Sequence, residues 1–164
     1  EERLGHAAVG NLNLLENSLI TDPKKRFQKK MGFIDFSELN EYTNEIIEKF
    51  NVKTTGVSAL ASSLSGGNLQ KFVVGREIGQ KPSLFIVNQP TWGVDALSAA
   101  NIRQAIVDLA NTGAAIILIS QDLDEILEIS NKVAFLTNGN LSIPTNTTDI
   151  KADEIGAIMG GISD

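Results

Sequence analysis

The spacing of apolar residues in the first part of the chain predicts two amphipathic helices. Leu12, Leu15 and Leu19 recur at intervals that place them on one helix face, within residues 11–20. Residues 35–50 begin with polar residues of the kind that cap helices, and apolar residues follow at helical spacing. These patterns predict a mainly helical subdomain in the part of the chain that precedes residue 65.

Beyond residue 64 the pattern changes to short apolar runs that alternate with helical segments. The predicted strands are residues 83–87, 114–120 and 132–137, and the predicted helices are residues 68–80, 97–113, 122–130 and 152–159. The run at 114–120 shows no alternation of apolar and polar residues, which indicates a strand covered on both faces, as in parallel sheets. Strands that alternate with helices indicate the α/β class. We therefore predict an α/β fold, with a helical subdomain in residues 1–64 and a mostly parallel sheet with flanking helices in residues 65–164.

Composition narrows the classes of function. The chain has 164 residues, a net charge of −6 and no cysteine. The negative charge disfavours nucleic acid as a main partner, and the lack of cysteine excludes disulfides and thiolate chemistry. The longest apolar run, residues 114–119, is far shorter than the roughly 20 residues that a helix needs to span a bilayer.

The sequence "LSGGNLQK" has the chemistry of a phosphate site. The first amides of a helix lack partners within it and lie at the positive end of the helix dipole, so anions bind there. Gly66 and Gly67 would let an oxyanion approach the backbone, while Ser65 adds a hydroxyl and Asn68 an amide. Ser65 is equally suited to cap the helix without any ligand. These residues alone leave both interpretations open.

Other candidate sites are weaker. The single histidine, His6, reads as a surface or loop residue, and it allows neither a zinc cluster nor a Ser-His-Asp triad. Asp122, Asp124 and Glu125 lie together at a predicted helix start. Carboxylates there could bind a hard cation, but the helix dipole favours acidic residues in a first turn, and that explanation is preferred.

Several motifs occur in the order found in ATP-binding-cassette (ABC) ATPases, and the chain resembles that family over nearly its whole length. "LSGGNLQK" resembles the signature motif, "NQPTWGVD" the end of the Walker B strand with the D-loop, and "LISQDL" the switch strand. The forms "LSGGNxQK" and "QPTxGVD" are similar to those of sugar and nucleoside importers, in which one polypeptide carries two tandem cassettes. "EERLGHAAVGNLNLLENSLI" and "ADEIGAIMGG" are similar to the second cassette.

The resemblance implies that the signature motif reaches across a head-to-tail dimer to ATP held by a partner cassette. The residues implied to contact the nucleotide are Leu64, Ser65, Gly66, Gly67, Asn68 and Gln70. Asp95 takes the D-loop position, where it would shape the dimer seam and could also cap the next helix. Trp92, in the same loop, is predicted to be a packed aromatic residue. The lysine-bearing glycine loop of the family is absent, since no Gly-Lys pair occurs, so we expect a truncated cassette whose loop would precede Glu1.

Three positions depart from the family pattern. Asn88 stands where an aspartate helps to hold Mg²⁺, Gln89 where a glutamate polarises the attacking water, and Gln121 where a histidine contacts the γ-phosphate. A neutral amide is a poor general base. The resemblance therefore implies a degenerate catalytic site, with Gln89 and Gln121 in catalytic positions and Asn88 in the metal position.

The implied function is that of an ATP-binding subunit of an ABC importer for a simple sugar or nucleoside, in which ATP binding and hydrolysis are coupled to transport. ATP and Mg²⁺ would be held mainly by residues outside this chain. The implied partners are the first cassette of the same polypeptide or a second copy, transmembrane permease subunits and, indirectly, an external binding protein. The subunit would be peripheral, on the cytoplasmic face of the cell membrane.

Two alternatives remain, and the isolated chain has expected properties of its own. One alternative is a non-catalytic interaction domain whose glycines only cap a helix. The other is a chromosome-maintenance ATPase, which the negative charge and the lack of sustained heptads disfavour. The chain by itself is expected to be inactive and, because strand edges would be uncovered, to self-associate or be marginally stable.

Overall fold

A computed structural model describes residues 3–22 and 26–150 of the chain. The chain forms two compact units, Glu1–Ile119 and Ser120–Asp164, which are described separately. The predicted helix at 152–159 lies outside the described residues. Within the described residues, no helix is both long enough and apolar enough to cross a membrane.

The first unit contains two helices near its start, each capped by a polar residue, as the sequence predicted for the second of them. α1 spans Leu14–Ile20 and is preceded by Asn13, whose side chain accepts a hydrogen bond from the backbone N–H of Glu16 at 2.8 Å, while Glu16 accepts one from the Asn13 N–H at 2.8 Å. This reciprocal capping box satisfies amides that a helix end would otherwise leave unpaired. α2 spans Phe36–Lys49 and is capped by Asp35.

The second half of this unit contains the predicted alternation of helices and strands. α3 spans Gly66–Gly79, β1 spans Leu84–Asn88, α4 spans Ala96–Asn111 and β2 spans Ala115–Ile119. β1 and β2 pair in parallel, from Leu84 opposite Ala115 to Asn88 opposite Ile119. The crossover through α4 gives the βαβ arrangement that parallel pairing requires.

α3 is the central helix of the first unit, with buried residues on most of its circumference. Glycines let it approach two aromatic residues closely, Tyr42 in α2 and Phe50 directly after it. A Cβ added to Gly75 would lie 2.5 Å from a ring carbon of Phe50, and one added to Gly79 would lie 2.8 Å from the hydroxyl of Tyr42. α3 therefore packs against α2 at a distance that only residues without side chains allow.

The prediction that both faces of the strands are covered is wrong for this chain. Leu84, Ile86, Ile117 and Ile119 are 48–60% exposed. They share one face of the two-stranded sheet, because alternate residues of a strand point the same way and the paired register aligns them. The uniformly apolar sequence thus gives one exposed apolar face and one on which Phe85 is buried and Val87, Ile116 and Leu118 are half-buried.

The second unit contains α5, which spans Leu123–Ile129, and short antiparallel ladders. β3 (Lys132–Val133) pairs with β6 (Thr145–Asn146), and β4 (Leu136–Thr137) pairs with β5 (Asn140–Leu141). The prediction of one continuous strand over 132–137 is therefore wrong. Its two ends pair with different segments of the chain, and Ala134 and Phe135 between them belong to neither ladder.

Candidate functional site

The head of α3 is a capped helix start on the surface. Ser65 has extended backbone angles and its hydroxyl oxygen accepts a hydrogen bond from the Asn68 N–H at 3.4 Å. The Asn68 side chain donates to the same oxygen at 2.9 Å, and its carbonyl accepts from the Lys53 N–H at 2.9 Å. Ser65 and Gly66 are exposed. Capping by Ser65 is thus confirmed, and the two exposed residues lie at the positive end of α3.

Leu64 and Leu69 flank this helix start. Leu64 is half-buried and directly precedes the cap, whereas Leu69 is only 3% exposed and lies in the first turns of α3. These are the positions at which a hydrophobic staple fixes the direction of the entering chain. The predicted rim residues from Leu64 to Asn68 are therefore brought together at one helix end.

Gly67 is a glycine for a reason that the sequence did not reveal. A Cβ at this position would lie 2.7 Å from the backbone oxygen of Gly93, closer than real Cβ contacts come. Gly93 itself has a φ of 72°, a conformation that favours glycine. The start of α3 is consequently in close contact with residues 89–95, the loop that connects β1 to α4 and that we term the 89–95 loop.

Gln70 lies away from the exposed rim to which the family resemblance assigned it. Its side chain is 8% exposed and donates to the backbone oxygens of Gln89 at 3.2 Å and Pro90 at 2.9 Å. Lys71, the next residue, is 5% exposed and donates to the Asn51 oxygen at 2.6 Å. Both side chains thus face inward, toward backbone carbonyls of neighbouring segments.

The end of β1 carries two amide side chains, Asn88 and Gln89, at the positions to which the resemblance assigns charged residues. Asn88 is exposed, and Gln89 follows with a φ of 51° while its N–H donates to the Ile119 oxygen at 2.8 Å. A cleft of about 250 Å³ lies beside them, and its lining includes Gln70, Glu77 and Trp92. No side chain of Asn88 or Gln89 can act as a base at accessible pH.

The one carboxylate of this cleft is already paired. Glu77 lies 2.7 Å from the buried guanidinium of Arg76, accepts a hydrogen bond from the Arg76 Nε at 2.9 Å and accepts another from Gln80 at 3.3 Å. It therefore does not replace a general base near Gln89. A hard cation such as Mg²⁺ prefers anionic oxygen ligands, so the described residues at the end of β1 do not fit a magnesium site.

Asp95 closes the 89–95 loop and caps α4. Its carboxylate accepts from the Ser98 N–H at 2.9 Å and from the Ser98 hydroxyl at 2.7 Å. The Ser98 hydrogen bonds hold the pKa of Asp95 below its usual 3.8, and the nearby Lys71 cation adds to the effect. The predicted capping role is confirmed. Trp92, in contrast, is 59% exposed, so the prediction of a packed aromatic residue is wrong.

The candidate residues of the second unit lie at the start of α5. Gln121 is exposed just before the helix, and Asp122 caps it by accepting from the Glu125 N–H at 3.1 Å. The acidic residues thus occupy a helix start, as preferred. Among the described residues, no group of three or more His, Asp or Glu side chains is placed to hold a metal ion. His6 is exposed, as predicted.

Comparison with solved structures shows which known fold the chain has. No protein-family model matches the chain. In structure it is similar to a dimeric ATP-binding cassette solved in a post-hydrolysis state with ADP and Pi, with a TM-score of 0.70, 19% identity, and coverage of 85% of this chain and 59% of that chain. Another dimeric structure of the same bacterial ABC transporter cassette gives a TM-score of 0.72 at 18% identity, over 85% of this chain and 59% of that one. The fold is therefore that of an ABC ATPase cassette, as predicted.

Comparison with curated sequences shows which ABC proteins are relatives of this chain. A glucose import ATP-binding protein of Haloferax volcanii is 35% identical over 167 residues, covering 100% of this chain and 30% of that protein. A nucleoside import ATP-binding protein of Lactococcus lactis is 34% identical over 161 residues, covering 98% of this chain and 32% of that protein. The chain is thus a homologue of the ATP-binding proteins of sugar and nucleoside importers. It spans about a third of the length of these curated relatives.

Proposed function

We propose that this chain belongs to the ATP-binding subunit of an ABC importer for a simple sugar or nucleoside, and that it supplies the signature motif to ATP held by a partner cassette. The observation that carries this proposal is the exposed, capped start of α3, where Ser65 and Gly66 are accessible at the positive end of a helix of 14 residues. Backbone amides in this arrangement bind phosphate oxygens.

The chain's own catalytic positions would play a different part. Asn88 and Gln89 end β1 without a charge, and the Glu77 carboxylate beside them is occupied by Arg76. Hydrolysis would accordingly take place at the site that this chain completes in the partner, while its own nucleotide site would bind ATP without hydrolysing it efficiently. Gln121 would contact the γ-phosphate without acting as a histidine does, and Asp95 would shape the seam between cassettes.

The proposed setting follows from the same homology. The helical subdomain, residues 1–64, would dock on transmembrane permease subunits, which receive substrate from an external binding protein. The subunit would act at the cytoplasmic face of the membrane, and ATP with Mg²⁺ would be held mainly by residues outside this chain. The partner cassette would be the first cassette of the same polypeptide or a second copy.

A matched pair of variants at Ser65 tests the signature role. Ser65→Asp keeps a good cap but places a carboxylate where phosphate would bind, whereas Ser65→Asn keeps the cap without charge. ATP is titrated into the chain mixed with the intact cassette proposed as its tandem neighbour, and association is followed by analytical ultracentrifugation. We expect ATP-dependent association for the natural chain and Ser65→Asn but not for Ser65→Asp.

The same experiment decides against the proposal if Ser65→Asp associates as the natural chain does. A capping-only helix start would then suffice, and the chain would be a non-catalytic interaction domain. Ser65 suits this test better than Gly67, because a side chain at Gly67 would collide with Gly93 whether or not phosphate binds there.

A further inference from the structure

The start of α3 and the 89–95 loop are joined at successive turns of the helix. Gly67 lies against the Gly93 oxygen, closely enough to exclude a Cβ. One helical turn further on, Gln70 donates to the Gln89 oxygen at 3.2 Å and the Pro90 oxygen at 2.9 Å. The signature residues and the loop after β1 therefore form one connected structure within a single chain.

The turn that Gln70 holds is an unfavourable one. Gln89 has a φ of 51°, in the left-handed region that residues with side chains rarely adopt, and such conformations persist only when surrounding contacts enforce them. The Gln89 oxygen also accepts from the Trp92 N–H at 3.2 Å, which closes the turn from the loop side. The buried amide of Gln70 closes it from the helix side.

The surroundings of the Gln70 side chain require a hydrogen-bond donor. Two carbonyl oxygens face one nitrogen of Gln70, which is 8% exposed. A side chain without a donor would take away the Gln70 hydrogen bond of the Pro90 oxygen and leave the Gln89 oxygen with the Trp92 N–H, in a site with little access to water, and a carboxylate would repel both oxygens. The amide group is thus suited to this contact and not to a phosphate at the exposed rim.

We propose that Gln70 is a positioning residue: its buried amide holds the turn at Gln89 and Pro90 against α3, so that the signature motif and the 89–95 loop move as one body. The structural part concerns this chain alone. The functional part rests on the proposed function, because a nucleotide bound at the start of α3 would then displace the loop that leads to Asp95.

Hydrogen exchange in the assembled importer tests the structural part. Gln70→Glu replaces the donor by an acceptor of the same size. We expect the protection of amides in the 89–95 loop to fall about tenfold, as for the loss of an ordinary net hydrogen bond, while protection in α2 stays within about twofold. Because a protonated carboxyl group can donate again, part of the loop protection should return as pH is lowered.

Matched variants separate positioning from general damage. Gln104→Glu makes the same chemical change at an exposed glutamine of α4 that donates to Asp108, and it should leave the loop unchanged. Gln70→Met removes the donor without adding charge and should lower loop protection in the same way. If both Gln70 variants leave the loop unchanged, or lower protection throughout the chain alike, Gln70 has no specific positioning role and the proposal is wrong.

ATPase kinetics of the same importer test the functional part. We expect Gln70→Glu to lower kcat about tenfold with KM for ATP within about twofold, since the loss concerns geometry and not nucleotide binding. A selective loss of loop protection with unchanged kcat would overturn the functional part alone. If the natural importer shows no ATP dependence, the proposed function fails, and the exchange result still decides whether Gln70 positions the loop.

Discussion

The start of α3 and the end of β1 are neighbouring regions that differ in the groups they offer. The start of α3 presents the backbone amides of its first turn. Ser65 caps the helix, and the Asn68 side chain donates a hydrogen bond to the Ser65 hydroxyl oxygen. The end of β1 presents the neutral side chains of Asn88 and Gln89. A role that depends on backbone geometry is thus available at the start of α3, while Asn88 and Gln89 offer no ionisable side chain at the end of β1.

Under the proposed function, this difference would separate the two roles of a nucleotide site, phosphate binding and proton transfer. Binding through helix amides requires only the helix, its cap and space. Proton transfer requires a group whose pKa lies near the working pH, at the right distance. In this chain Gln70 joins the two regions by hydrogen bonds to the carbonyls of Gln89 and Pro90, although only the start of α3 offers the groups that its proposed role requires.

Introducing carboxylates at the end of β1 should have the largest effect, an increase in ATP hydrolysis. In an assembled importer whose partner cassette lacks its own general base, we expect the double change Asn88→Asp and Gln89→Glu to raise ATP hydrolysis by about 10²–10⁴-fold, the contribution typical of a positioned base. The measurement is steady-state phosphate release.

The matched control is Asn88→Ala with Gln89→Ala, which should leave hydrolysis at the background rate. An equally low rate for the charged pair would show that the missing carboxylates are not what limits this half. The contrast between the two regions would then lie elsewhere than in their ionisable groups.

Adding a side chain at the contact between Gly67 and Gly93 should have the next largest effect, a loss of folding stability. Gly67→Ala puts a methyl group 2.7 Å from the Gly93 oxygen, so the backbone must shift. We expect a loss of about 1–3 kcal/mol in the free energy of unfolding, as for other overpacked sites. Urea unfolding measures it.

Gly10→Ala is the matched control, because its added carbon would lie at an ordinary 3.5 Å from Leu4 and Ser62. It should change the free energy of unfolding by less than about 0.5 kcal/mol, as surface substitutions usually do. Equal losses for the two variants would mean that the contact between Gly67 and Gly93 is not especially tight.

Removing the cap of α3 should have a smaller effect on stability. Ser65→Ala leaves the Asn68 N–H without its acceptor, and we expect a loss of about 0.5–2 kcal/mol, while Ser65→Asn retains most of the natural stability. Thermal unfolding followed by circular dichroism compares them. A Ser65→Ala variant as stable as the natural chain would show that the hydroxyl contributes nothing as a cap and leave it only a ligand role.

Replacing Asp95, which caps α4 at the end of the 89–95 loop, should have the smallest effect, a change in folding stability that is seen only at acidic pH. Ser98 lowers the pKa of Asp95 from 3.8, so the carboxylate stabilises the fold fully above about pH 3.8, and this contribution is lost as pH falls through the lower folded-state value. In Asp95→Asn that part of the pH dependence should vanish. Unfolding midpoints between pH 2 and 6 measure it, and identical pH profiles for the two proteins would contradict the assignment.

Local chemistry allowed much of the fold and part of the site to be predicted. Ser65 and Asp95 each cap a helix where their residue types and the following apolar pattern indicated, and Asp122, Asp124 and Glu125 lie at a helix start as predicted. Such contacts span three or four residues, so the sequence contains both partners side by side. The parallel pairing of β1 and β2 also followed from their separation by a helix.

Contacts between segments that are distant in the chain could not be predicted from the sequence. Nothing in "LSGGNLQK" reveals that Gly67 will face Gly93, or that Gln70 will donate to carbonyls 19 and 20 residues away. Only the burial of polar residues on α3 could have signalled it, and burial needs the fold. The splitting of the predicted strand at 132–137 has the same cause, since its two ends find partners in different later segments.

The exposed indole of Trp92 has a practical consequence. It is the only tryptophan of the chain, and it lies in the middle of the loop that Gln70 anchors at one side and Asp95 ends at the other. Indole emission changes colour and intensity when water is removed from the ring. The chain therefore carries its own optical reporter at this loop, and the docking of a neighbouring surface onto it can be followed by fluorescence without attaching any label.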